Sequence, residues 1–180
     1  MPGAFSSDDD AELLQAERDV THAFEDQAFD FSALLAVSNV FRAATGVRNH
    51  MEREVLRAHQ LSWSAFVVLF VLRVWGEKES HELATEAGIT GGTLTGVLTT
   101  LERRGFARRA PHPTDGRRVT VRPTTKGRRA IDTIMPMFNA HEAIVTADLS
   151  VPDRRELSRL LRTVLRTLDA ETNAGMTTTE

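Results

Sequence analysis

HELATEAGITGGTLTGVLTTLERRGFARRAPHPTDGRRVTVR, residues 81–122, decides the fold. It opens with a short apolar-periodic run, HELATEA, for which Ser80 is the expected N-cap and Gly88 the stop. Ile89 occupies a tight turn. Thr90 then caps a second helix, GGTLTGVLTTLERRG, in which Leu94, Val97, Leu98 and Leu101 recur at inward-facing spacing. Thr93, Thr95, Thr99, Thr100 and Arg103 fall on the remaining arcs, and Gly105 stops the helix. Phe106–Ala110 and Val119–Arg122 alternate as strands do, and Pro111, Pro113, Asp115 and Gly116 between them are turn residues. Two short helices joined by a turn, followed by a basic hairpin, form a helix-turn-helix reader with a wing. The expected fold class is mainly α with a small β-hairpin wing, and the implied partner is duplex DNA.

Working outward, apolar spacing through Leu13, Val20, Phe24, Ala28 and Phe31 predicts a helix from about Asp9. A long helix is expected over Phe31–His59. Ser62 caps the next, SWSAFVVLFVLRVWG, which is apolar almost all round and therefore core, with Trp63, Phe66, Leu69, Phe70 and Leu72 as its main packing residues. Gly76 ends it, and GEKES reads as a polar connector. After the hairpin, Pro123-Thr-Thr-Lys-Gly leads into a helix over about 125–147, interrupted by Pro136. Ser150 caps a last helix with a Leu157, Leu160, Leu161, Val164, Leu165 and Leu168 stripe. The terminal helices carry more apolar surface than the middle module can cover, so a second copy of the chain is the expected partner. The expected organisation is an extension over 1–30, a helical dimerisation region of 31–60 with 123–172, the winged helix-turn-helix over 61–122, and a loose tail over 173–180.

The 180 residues carry a net charge of −3, which hides an uneven distribution. Residues 1–60 are net acidic. The window 101–130 holds ten bases against only Glu102 and Asp115. A compact basic patch on an acidic body is an electrostatic footprint for nucleic acid. There is no cysteine, which excludes disulfides, thiolate zinc sites and a cysteine nucleophile. No apolar run is long enough for a bilayer span and the N-terminus lacks signal-peptide character, so the expected location is the cytoplasm, away from membranes.

The same stretch resembles the MarR family of bacterial transcription regulators. The resemblance rests on the ELA of the first helix, the LERRGFARR run leaving the second, the Asp115-Gly116-Arg117 wing motif and the PTTKG lead-in that follows. It covers about residues 32–170 and implies a winged-helix homodimer on a pseudo-palindromic operator, usually a repressor. For many members it further implies release by a small anionic or aromatic ligand. The matching wing positions imply that Arg117 enters the minor groove, with Asp115 holding its guanidinium. Arg118, Arg108, Arg109 and Arg104 are expected at phosphates. The second helix departs from the family pattern, with Gly91, Gly92 and Gly96 where long side chains are common. That leaves Thr90, Thr93, Thr95, Thr99 and Thr100 to read bases, and the bare Gly91-Gly92 start to approach a phosphate.

The resemblance places a ligand pocket where the dimerisation helices meet the reading module, and His50, Arg53, Arg57 and Trp63 lie near that junction in the chain. The six histidines have no metal-ligand spacing, and GITGGTLTG lacks the lysine and preceding strand of a phosphate loop, so neither an enzyme nor a metal or cofactor protein is expected. The competing reading is a winged helix used for protein contact without specific DNA binding.

Overall fold

A computed structural model describes residues 13–112, 114–115 and 118–177. It divides into two compact units, Met1–His50 and Met51–Glu180.

In the first unit, α1 spans Gln15–Ala23 and α2 begins at Phe31, running to Glu54 in the second unit. The expected single helix reaching Phe31 is corrected: α1 stops at Ala23. Phe24 leaves helical geometry (φ −124°), and its ring packs 5.6 Å from that of Phe29, itself 6.2 Å from Phe31. Asp30 then caps α2 by accepting from the backbone N–H of Ala33 at 3.0 Å. Buried Glu17 ties the two helices together. Its carboxylate accepts from Leu14 N–H and from Asn39 Nδ2, each at 2.6 Å, and these bonds, the backbone one foremost, hold it below the ordinary carboxylate range. The expected start of this helix near Asp9 lies outside the described residues.

The long helix also ends earlier than expected. After α2 the chain tightens into a 3-10 turn, Leu56–His59, and Gln60 takes left-handed geometry at φ 53°. Ser62 caps α3 (Trp63–Trp75) as expected, its hydroxyl accepting from Ala65 N–H at 3.3 Å. Phe66, Leu69 and Leu72 are buried, as are Val68 and Val71; Trp63 and Phe70 are only half-buried. Gly76 closes the helix at φ +79°, a conformation open mainly to glycine.

The "connector" is a strand. Lys78–Glu79 forms β1, which pairs antiparallel with β3 (Val119–Pro123), itself paired with β2 (Ala107–Pro111), giving sheet order β1-β3-β2. The N-cap of α4 (Ser80–Glu86) is therefore Glu79. Glu82 reaches back to it, its carboxylate accepting from Glu79 N–H at 3.2 Å. Ser80, the expected cap, instead donates its hydroxyl to the Val119 carbonyl at 3.1 Å. Strand pairing fixes Glu79 in extended backbone, which is what an N-cap needs, and so shifts the cap by one residue.

α5 spans Gly91–Arg103 with Thr90 at its cap, as the sequence indicated. Leu94, Leu98 and Leu101 point into the core with Leu83, Val121 and Ile131. α6 spans Thr125–Val145 with Pro136 inside it, and α7 spans Val151–Thr177.

Gly127 shows how tightly α6 is seated. A Cβ there would lie 2.0 Å from the Phe106 carbonyl oxygen, so only glycine fits. Thr124 locks the same junction, accepting from Gly127 N–H at 3.0 Å and donating to the Gly105 carbonyl at 2.7 Å.

Candidate nucleic-acid interface

Helix α5 presents an unusual outer face. Gly91, Gly92, Thr93, Thr95, Gly96 and Thr99 are all exposed. A Cβ added at Gly91 or Gly96 would meet no atom within 4 Å, and at Gly92 only the Thr90 hydroxyl at 3.9 Å. Packing inside the chain therefore does not require these glycines, which each cost helix stability.

The threonine hydroxyls are partly committed. Thr95 donates to the Gly91 carbonyl at 3.0 Å, and Thr99 to the Thr95 carbonyl at 2.9 Å. Thr90 accepts from Thr93 N–H at 3.2 Å, and the two hydroxyls lie 3.0 Å apart. A hydroxyl has one proton and two lone pairs. Thr95 and Thr99, having given the proton inward, offer outward only an acceptor and a methyl group.

The wing is anchored at its base. His112 N–H donates to the Arg118 carbonyl and Arg118 N–H to the Asp115 carbonyl, each at 2.9 Å, extending the hairpin past the strands. Arg118 Nε donates to Glu79 Oε2 at 2.6 Å, and its Nη2 to Glu79 Oε1. The Glu79 side chain is only 14% exposed and also has His81 Nδ1 at 3.4 Å and His112 Nε2 at 3.7 Å. One carboxylate thus couples the start of α4 to the wing. Sequence reading missed it, because it sat in what looked like a linker. A cleft of about 500 Å³ lies between this anchor, α5 and Val119.

Two further arginines expected at phosphates, like Arg118, have structural partners. Arg104 donates from Nη1 to the Gln60 carbonyl (2.6 Å) and from Nη2 to the His59 carbonyl (2.9 Å), and lies 4.5 Å over the Phe106 ring. Arg109 is bidentate on Glu102, at 2.9 Å from Nε and 2.5 Å from Nη2. Those bonds, with a further one from Arg109 N–H, hold the Glu102 carboxyl below its ordinary range. Arg108 points to the opposite face of the hairpin, beside Arg122. Asp115 and Arg118 are exposed at the wing; Arg117 and Gly116 lie outside the described residues.

Of the expected ligand residues, His50 is half-buried on α2, Arg53 pairs with its neighbour Glu54 at 2.5 Å, and Arg57 is exposed on the 3-10 turn. The Trp63 ring lies 6.2 Å from that of Phe138, which stacks at 4.4 Å on Phe66. Among the described residues, no group of three or more acidic or histidine side chains is placed to hold a metal ion. No helix among them is long and apolar enough to cross a membrane.

Residues 61–119 match the MarR family model. The protein described as an uncharacterized HTH-type transcriptional regulator, YwaE of Bacillus subtilis (strain 168), is 35% identical over 138 residues, which are 77% of this chain and 81% of that protein. A crystal structure of NadR in complex with 4-hydroxyphenylacetate superposes with a TM-score of 0.61 and 25% identity, covering 72% of this chain and 89% of that one. A crystal structure of a mutant MarR from E. coli complexed with operator DNA shares the fold, with a TM-score of 0.67, 22% identity, and coverage of 77% and 99%. With this order of helices and wing, and a relative this similar along most of both chains, the chain belongs to the MarR family of transcription regulators.

Proposed function

We propose that this regulator acts as a homodimeric repressor, binding a pseudo-palindromic operator and leaving it when a small aromatic acid binds. Members of the family are transcription regulators without enzymatic activity. The observation that carries the DNA reading is the outer face of α5, where three glycines that the fold does not need stand among threonines, beside an anchored basic wing. Such a face suits close approach of a partner with its own donors and methyl groups.

Thr95 and Thr99 accept from a base amino group or touch a thymine methyl. Thr90 and Thr93 sit at the helix start, where Gly91 and Gly92 let backbone N–H groups reach a phosphate. Arg117 enters the minor groove steadied by Asp115, and Arg118 takes a phosphate with the donors Glu79 leaves it. Arg108 meets DNA only where the duplex bends round the back of the wing. Because the helix supplies few bidentate side chains, discrimination leans on groove width and deformability.

Dimerisation is supported by the apolar stripe of α7, from Leu157 to Leu168, exposed along its whole length in the single chain. Residues 31–60 with 123–172 supply this region, and 61–122 the reading head. Two heads on a two-fold axis reach half-sites about one helical turn, roughly 34–36 Å, apart. A repressor of this kind works by occupying a promoter. The effector reading rests on the half-buried Trp63, backed by the buried Phe138–Phe66 stack, with Arg53, Arg57 and His50 nearby in the chain to take a carboxylate.

The test is selection of bound duplexes from random sequence by the full-length protein, followed by salt titration of the winner. The expected outcome is a two-fold site with affinity falling steeply as salt rises. Failure to bind any duplex at low salt sinks the reading and favours a protein-contact module. Aromatic acids are then screened for quenching of tryptophan emission; Trp63→Phe should remove the quench and the release together.

A further inference from the structure

We propose that the cavity behind the wing, separate from the reading face, binds a small anion carrying several phosphate groups. This cavity, about 540 Å³, lies between the end of α3, the outer face of β2 and β3, and the start of α6. A volume of this size holds an ordinary small ligand. Four arginines line it: Arg73, Arg108, Arg122 and Arg128.

Two of the four are fixed as walls. Arg73 Nε donates to Asp132 at 2.8 Å, and Arg128 Nη1 to the Pro123 carbonyl at 3.1 Å. The other two face each other. Arg108 and Arg122 are directly opposed in the β2–β3 register, and both are exposed. Like charges at opposed positions destabilise a hairpin. Neither side chain has a hydrogen-bond or ion-pair partner among the described residues. Nothing in hairpin formation calls for this pair, since Val121 and Ala107 already supply its buried packing.

The occupant follows from charge and donors. Glu77 is the one acid lining the cavity, and Asp132 offsets Arg73 from outside it. The lining thus keeps an excess of about two positive charges. Each guanidinium forks onto a phosphate better than onto any neutral group. The floor is the first turn of α6, a 21-residue helix, with Thr124 and Thr125 at its positive end. A single sulfate or monophosphate engages two arginines; a chain of phosphates engages the opposed pair and a wall together.

The experiment titrates the full-length protein calorimetrically with tripolyphosphate, and with sulfate and inorganic phosphate as comparators. Tripolyphosphate should bind about tenfold or more tightly than sulfate at equal ionic strength. The Arg122→Gln/Arg128→Gln double variant should weaken it by about tenfold or more, with operator affinity in the absence of anion held within about threefold. Equal binding of tripolyphosphate and sulfate overturns the proposal, as does undiminished binding by the variant, which places the anion elsewhere. Operator affinity falling in step with the anion also overturns it, and assigns the arginines to flanking DNA. Should the double variant melt lower without ligand, Arg122→Gln alone, a change on an exposed strand position, is titrated in its place and held to the same outcomes.

Discussion

Glu79 opens one helix through its backbone N–H, held by Glu82, and grips the wing arginine with its two carboxylate oxygens. Removing its charge loosens the arginine. Glu79→Gln should weaken operator binding by about 1–2 kcal/mol, the scale of a charge-assisted hydrogen bond, read as a binding shift at constant salt. Arg117→Ala should go further and lose most specific binding; an unchanged operator affinity refutes its assigned place in the minor groove. Glu102 carries a different prediction. Its folded-state pKa is depressed by Arg109, so its contribution to stability is complete above the unfolded carboxylate range and is lost as pH falls through the folded value. The melting temperature should therefore drop on acidification below about pH 4, and Glu102→Gln should flatten that part of the profile.

The elements differ in how openly the sequence announces them. Ser62, Thr90, Gly76 and Gly105 marked their helix ends correctly because caps and stops are local chemistry. The β1 strand was invisible, since two residues carry no periodicity and pairing with β3 is a long-range fact. That omission hid Glu79, and with it the anchor of the wing. Likewise LERRGFARR announced basic residues but not their partners: Arg104 and Arg109 face the protein's own carbonyls and Glu102. Gly127 was legible as a motif, but its reason is the Phe106 carbonyl, which only the packed junction reveals. Gly127→Ala should cost about 3 kcal/mol or more in unfolding free energy, because backbone rather than a flexible side chain must move. Gly96→Ala is the opposite case. It should raise stability by about 0.5–1 kcal/mol and at the same time weaken operator binding. Higher melting with unimpaired binding would show that nothing approaches the helix there.

At the scale of the whole molecule, the acidic first third and the basic hairpin region keep opposite charges apart along the chain, so a net charge of −3 is compatible with attraction to a polyanion through one face. The exposed α7 stripe makes association the natural way to remove apolar surface from water. Leu161→Asp with Leu165→Asp should yield a monomer in sedimentation and abolish binding to the two-fold site while leaving helical content largely intact. A variant that stays dimeric would locate the interface on another surface.

At Gly91, Gly92 and Gly96 a new side chain meets no resistance from the protein and adds helix propensity. Retargeting usually erodes a scaffold, because base-contacting substitutions compete with folding. Here the two run together: a gene duplicate of this regulator could acquire a new operator by single substitutions that also strengthen its fold, which makes α5 a ready starting point for evolving or engineering altered address.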